Sequence, residues 1–214
     1  MTTSSTHESP PTSEDRRRRA VFESLANRPH EFDFFQAVRL LTQIGCRESD
    51  GTPPRRQVVG RDFSPQHEVV RFRALPSHSF PPAEIASFHV TDQSAPAEMS
   101  VSFMGLTGPV GALPQHYTQA VIDRLRLKDH ALREFLDLFN HRAISFFYRA
   151  WEKHRVLPSM ERACVEGVED PFTRSVYCCV GMGVSTLRDR LEARDETFLY
   201  YAGLFAHYPR NAVS

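Results

Sequence analysis

The stretch from Asp129 to about His154 restricts this chain more than any other. Leu132, Phe135, Leu136, Phe139, Ala143, Phe146, Phe147 and Ala150 recur there at helical spacing, and Leu138 and Trp151 broaden the apolar face. Side chains three and four positions apart lie on one side of an α-helix. The spacing therefore predicts one long helix, with Asp129 placed to cap it. So many rings on one helix need cover, from the rest of the domain or from another subunit. The aromatic excess runs through the whole chain, which has 16 Phe against 6 Tyr and 1 Trp. Otherwise the 214 residues are ordinary for a globular protein, 41% apolar and 24% charged, enough for one packed domain with appendages.

Charge narrows the class of partner. The 26 basic and 26 acidic residues cancel, which argues against a nucleic-acid binder or a binder of anionic membrane, since both need net positive surface. Residues 1–15 are polar with no apolar core of a signal peptide behind them, and no stretch approaches the apolar length of a membrane span. The expectation is a cytoplasmic protein without direct membrane insertion. Cys46, Cys164, Cys178 and Cys179 form no CxxC pair and read as reduced, buried small apolar residues.

Along the chain, residues 1–19 read as a disordered leader ending in the basic run Arg16–Arg19, and residues 20–214 as one domain. Phe34, Val38, Leu41 and Ile44 form one stripe of a helix over 31–44, which Gly45 ends. Residues 46–65, rich in Gly and Pro, read as a long loop. Three strand-like runs follow, over 68–74, 85–90 and 98–104, with alternating Val70 and Phe72, then Met99, Val101 and Phe103. Helices are expected over 114–126, 170–180 and 196–206. The fold class is α+β, mainly helical, with a small antiparallel β region between the first helix and the long central one.

Several constellations invite a chemical reading. Gly105, Gly108, Pro109 and Gly111 sit in a loop, Gly-Leu-Thr-Gly-Pro-Val-Gly, of the kind that can cradle phosphate. It lacks the Lys and Ser or Thr of a P-loop, and Pro109 removes an N–H donor, so a tight strand-to-helix connection is the plainer reading. The 10 histidines show no HxH, HxxxH or HExxH spacing, so no metal is expected. Asn140, His141 and Arg142 fall inside the long helix, where polar groups need partners. They read as a seam that caps neighbouring backbone or pairs with Asp137 or Arg149, because no nucleophile stands at a recognisable spacing. Asp123, Asp129 and Asp137 interleave with basic residues as surface ion pairs. No catalytic, cofactor or metal residue is assigned.

Three stretches carry a resemblance: residues 29–41 (PHEFDFFQAVRLL), residues 71–85 (RFRALPSHSFPPAEI), and residues 103–152. The last holds Gly-Leu-Thr-Gly-Pro, Leu-Pro, Phe-Leu-Asp-Leu-Phe-Asn-His-Arg and then Tyr-Arg-Ala-Trp, which place Asn140, His141, Arg142, Arg149 and Trp151 in a motif. Together they resemble the TssG family of type VI secretion proteins. The resemblance implies a non-catalytic, cofactor-free subunit, similar to tailed-phage wedge proteins. It would join a TssF dimer in the baseplate wedge, with TssK trimers linking that wedge to the membrane complex and TssE connecting toward the sheath. Family members extend beyond the point matching Pro209-Arg210, so the resemblance implies a C-terminally shortened form and leaves TssK binding through that part open. Three readings stand at this point: a hetero-oligomeric assembly subunit, a phosphate-binding enzyme using residues 105–111 or His141, and a small adaptor using Arg16–Arg19.

Overall fold

The computed structural model describes residues 13–46, 56–62, 64–90, 95–190 and 192–206. Two compact units divide the chain between Glu152 and Lys153.

In the first unit, helix α1 (Ser13–Asn27) leads through a 3-10 turn, Pro29–Glu31, into α2 (Phe34–Gly45). Strands β1 (Val70–Ala74), β2 (Ile85–His89) and β3 (Ala97–Val101) come next, then α3 (Gln115–Arg126) and α4 (Ala131–Lys153). Asp33 starts α2 by accepting the Gln36 N–H at 3.1 Å, which satisfies one of the donors that a helix start leaves free. The stripe of α2 then buries Phe34, Ala37, Val38 and Leu41. Phe34 is the hub of the core. Its ring lies 4.9 Å from Phe103, 5.5 Å from Phe72 and 6.5 Å from Tyr148, so it joins α2, the sheet and α4.

The sheet order is β1-β3-β2. β2 and β3 are antiparallel, as expected, but β1 and β3 are parallel, with Phe72 beside Met99. The sheet is therefore mixed. The cause is topological: β1 and β2 run in opposite directions one strand-width apart. A strand that fills the gap antiparallel to β2 must run with β1. β3 keeps the alternation read from sequence, with Ala97, Met99 and Val101 buried. β1 departs from it, because Arg73 is buried along with Phe72 and Ala74.

The second unit holds α5 (Val156–Glu166), α6 (Pro171–Val180), a 3-10 turn Ser185–Leu187 and α7 (Asp195–Ala206). The sequence reading has no counterpart of α5. Pro158 lies in its first turn, where the missing N–H had no partner to lose. Asp170 caps α6, accepting the Thr173 N–H at 2.9 Å, and accepts the Ser159 hydroxyl of α5 at 2.7 Å. Those hydrogen bonds outweigh the opposing effect of burial and hold its carboxyl below the usual range. Tyr177 is buried under the Arg188 guanidinium, 4.0 Å from the ring centre.

Three expectations change. Cys164, Cys178 and Cys179 are exposed and only Cys46 is buried, because α6 turns Tyr177 inward and Cys178 and Cys179 outward, and α5 turns Ala163 inward and Cys164 outward. Residues 13–19, expected in the leader, are helical in backbone; residues 1–12, the side chains of Arg16–Arg19 and residues 207–214 lie outside the described residues. So do residues 47–55 and 63 of the expected loop, while Gln57 within it bridges to Glu68.

Replacing Phe34 by Ala empties the point where three elements meet. Urea denaturation should show a loss of about 3–5 kcal/mol. Phe34→Leu, which keeps most of the volume, should lose less than half as much.

Candidate functional site

The long helix α4 has two faces of opposite character, and the buried one is the polar one. Toward the interior it turns Leu136, Asp137, Asn140, His141, Ile144, Ser145, Tyr148 and Glu152. Toward the outside it turns Phe135, Phe139 and Phe146, which keep 57%, 54% and 46% of their surface exposed, with Leu138 and Phe147 beside them. Arg142 lies within this aromatic stripe, its guanidinium 4.3 Å above the Phe146 ring.

The polar face bonds the main chain of other segments. Asp137 Oδ1 accepts the Ala74 N–H at 3.2 Å, and His141 Nδ1 accepts the Phe72 N–H at 3.1 Å. Both donors lie on the edge of β1 that faces away from β3. The spacing is a geometric match: four residues of helix rise about 6 Å and two residues of strand about 6.6 Å. Asn140 Oδ1 accepts the Leu106 N–H at 2.8 Å, and its amide donates to Asp137 Oδ1 at 2.9 Å. Arg142 donates to the Arg61 carbonyl at 2.7 Å, and Arg149 to the Gly60 carbonyl at 2.5 Å. Trp151 at the far end stacks on Phe35, with centroids 4.6 Å apart and planes at 14°.

Charge is concentrated behind this face. Because His141 Nδ1 accepts a backbone N–H, its proton resides on Nε2, 3.1 Å from Glu68 Oε2. Glu68 is itself buried and accepts the Gly60 N–H at 3.1 Å. Arg73 donates to Glu98 at 2.6 Å. Asp137 Oδ2 has no hydrogen-bond donor; Arg133 lies 3.8 Å and Arg73 4.0 Å from it. Desolvation by burial is the largest influence on Asp137 and raises its carboxyl above the ordinary value of 3.8.

The glycine loop is closed on itself. Gly105 and Gly111 form a bridge. The Gly108 N–H donates to Thr118 Oγ1 at 3.1 Å. The Gly111, Ala112 and Leu113 N–H groups donate to Gly108, Gly105 and Leu106 carbonyls at 3.1, 3.0 and 2.8 Å. With Leu106 bonded to Asn140, these five donors are engaged inside the protein. Gly108 has φ +118°, and a Cβ there would lie 2.5 Å from the Leu75 carbonyl oxygen, so glycine is required by conformation and by space. Pro109 sits at the turn of this loop. Among the described residues no group of three His, Cys, Asp or Glu side chains could hold a metal.

The family model described as type VI secretion, TssG, matches residues 28–214. The chain belongs to the type VI secretion TssG family. Neither a curated protein nor a solved structure matches it. A TssG-family chain is a type VI secretion baseplate component, and the family is structural rather than a known family of enzymes. Among the described residues no helix is long and apolar enough to cross a membrane.

In this TssG-family chain the residues singled out by sequence fall into two groups. Gly105, Gly108, Asn140 and His141 are tied together through β1 and the loop after β3, while Arg142 and Arg149 reach residues 60 and 61 and Trp151 packs on α2. Sequence reading missed Glu68, Glu98 and the burial of Arg73, and it took Asp137 and Arg133 for a surface ion pair, whereas Asp137 is buried against β1 with Arg133 3.8 Å from it. Their signal was faint: Arg73 falls on the polar side of β1 by alternation, and only contact with α4 explains its burial.

Asp137→Ala leaves the Ala74 N–H and the Asn140 amide without their acceptor and should lower stability by about 2–3 kcal/mol. Asp137→Asn keeps an acceptor oxygen and should lose less. The folded state holds the Asp137 proton more tightly than the unfolded state, so this group's contribution falls as pH rises from 3.8 through the raised value. Urea titrations across this range should show that decline in the wild type, and Asp137→Asn should lack it.

Proposed function

We propose that this chain is a structural subunit of the baseplate wedge that assembles with TssF, and through it with TssK and TssE. It would act in the cytoplasm, where the baseplate docks on the inner-membrane complex and supports the start of tube and sheath. One observation carries the reading: α4 spends its polar face inside the protein and leaves its aromatic face outside. A surface with Phe135, Phe139 and Phe146 along one stripe of a helix is the kind of patch that another chain covers. We assign the TssF contact to this face. Arg142, held over Phe146, gives the patch one fixed charge at its centre.

The test is co-expression with TssF from the same organism, followed by size-exclusion chromatography. The wild type should co-elute with TssF. The double variant Phe139→Asp with Phe146→Asp should lose TssF by at least tenfold while its melting temperature stays near that of the wild type, since both rings are already half-exposed. A wild-type chain that remains a monodisperse monomer beside TssF, or a double variant that binds as well as the wild type, defeats the proposal.

A further inference from the structure

The most exposed large apolar side chain among those described is not on α4. It is Phe80, with 93% of its surface free, at the tip of the connection between β1 and β2. A lone exposed ring needs no explanation when it rides on a loose loop. This one does not. The Ser77 N–H donates to the Leu75 carbonyl at 3.0 Å, and the Ser79 N–H to Ser77 Oγ at 3.0 Å. His78 Nε2 lies 3.0 Å from Gln119 Oε1 on α3. On the return side, Ser102 Oγ contacts the Ala83 carbonyl at 2.5 Å, and the Glu84 carboxylate accepts the Phe34 N–H at 2.9 Å. Pro76, Pro81 and Pro82 fix further backbone angles. The tip is held in place before anything binds, which reduces the entropy lost on binding.

The surroundings are poor in charge, bounded by Glu84, which accepts the Phe34 N–H, and by Asp123, which accepts from Gln119. β1 and β3 are parallel and end at the same edge, where β2 begins, so residues 74–83 and the stretch after Val101 leave one end of the sheet. Gly108 packs under Leu75 and Thr118 bonds Gly108, which brings the Phe80 loop, the glycine loop and the start of α3 together. Val110 and Tyr117 on those segments are 63% and 43% exposed. Residues 74–83 and 99–122 contain no Asp, Glu, Lys or Arg, in a chain where 24% of residues are charged.

We propose that this end of the first unit is a second docking surface, with Phe80 as its anchor, and that it receives an uncharged apolar pocket of another protein chain. Interface centres are depleted of charge and enriched in aromatic residues. A charged partner surface would lose its hydration here and gain nothing to pair with. A lipid surface fits less well, since no Lys or Arg stands among these residues to attract anionic headgroups. The inference rests on the assembly reading only in expecting a partner within the same machine.

A photoreactive phenylalanine analogue placed at position 80 of the full chain, in a bacterium with an active secretion system, tests the surface. Position 126, an exposed Arg of α3, serves as control. The expected result is a crosslink to one defined protein, mapped to a segment of it without charged residues. Val110→Asp, which sets a carboxylate on the adjoining glycine loop, should weaken that crosslink at least tenfold. Circular dichroism and melting temperature should not change for Val110→Asp or Phe80→Asp. If the partner is TssF, TssK or TssE, the wedge reading gains as well. If it is some other protein, the surface stands and the expectation of a partner within the same machine falls, while the TssF contact of α4 is decided by its own co-elution test. Crosslinking at position 80 no stronger than at position 126, crosslinks only to lipid or to a second copy of this chain, or indifference to Val110→Asp would overturn the proposal.

Discussion

The bonds between α4 and the outer edge of β1 organise the first unit. An unpaired strand edge is a liability, because its N–H groups invite other strands. Here the Phe72 and Ala74 N–H groups are taken by His141 and Asp137, one helical turn apart on α4. The same helix fixes the glycine loop through Asn140 and residues 60 and 61 through Arg149 and Arg142. A single rigid element thus sets the position of three separate pieces of backbone, and the strands need no longer sheet to be held.

That arrangement carries an energetic penalty and a consequence. Burying Asp137, Glu68 and Arg73 removes their hydration, and Asp137 answers with a raised pKa and an oxygen that no donor reaches. What offsets part of the penalty is that Asp137 Oδ1, Glu68 Oε1, His141 and Asn140 accept backbone N–H groups which would otherwise be unsatisfied. The consequence is on the other side. With its polar face inside, α4 has its rings outside, and the protein carries a surface suited to association. For a member of the TssG family, whose setting is a multi-subunit secretion machine, that is an asset. Most of the apolar core is supplied elsewhere, by Phe34, Phe72, Met99 and Val101 around α2 and the sheet, with Leu136, Ile144 and Tyr148 of α4 joining it.

The same logic explains why a glycine loop that suggests phosphate binding is spent on architecture. Its N–H groups hold its own carbonyls, Thr118 and Asn140, and Gly108 lets the chain pass against Leu75. The loop is a clasp between the end of β3 and the start of α3, and it orders the end of the unit where Phe80 projects.

The amino-acid sequence by itself determined where most of the helices and the strands lie, because apolar period, Pro and Gly are local properties of the chain. α2, the three strands, α3, α4, α6 and α7 are legible in this way, and the family motifs in residues 29–41, 71–85 and 103–152 are too. It did not determine which face of α4 is inside, since Phe135, Phe139 and Phe146 follow the helical period as well as Leu136, Ile144 and Tyr148 do. Only the tertiary structure decided that. The edge of β1 presents backbone donors, donors require acceptors, and Asp137 and His141 supply them at the one spacing that fits. Nor could spacing place Glu68 beside His141, 73 positions apart in sequence, or reveal that β3 inserts between β1 and β2. Those are relations between distant segments, fixed by hydrogen-bond satisfaction in the folded chain and absent from any local pattern.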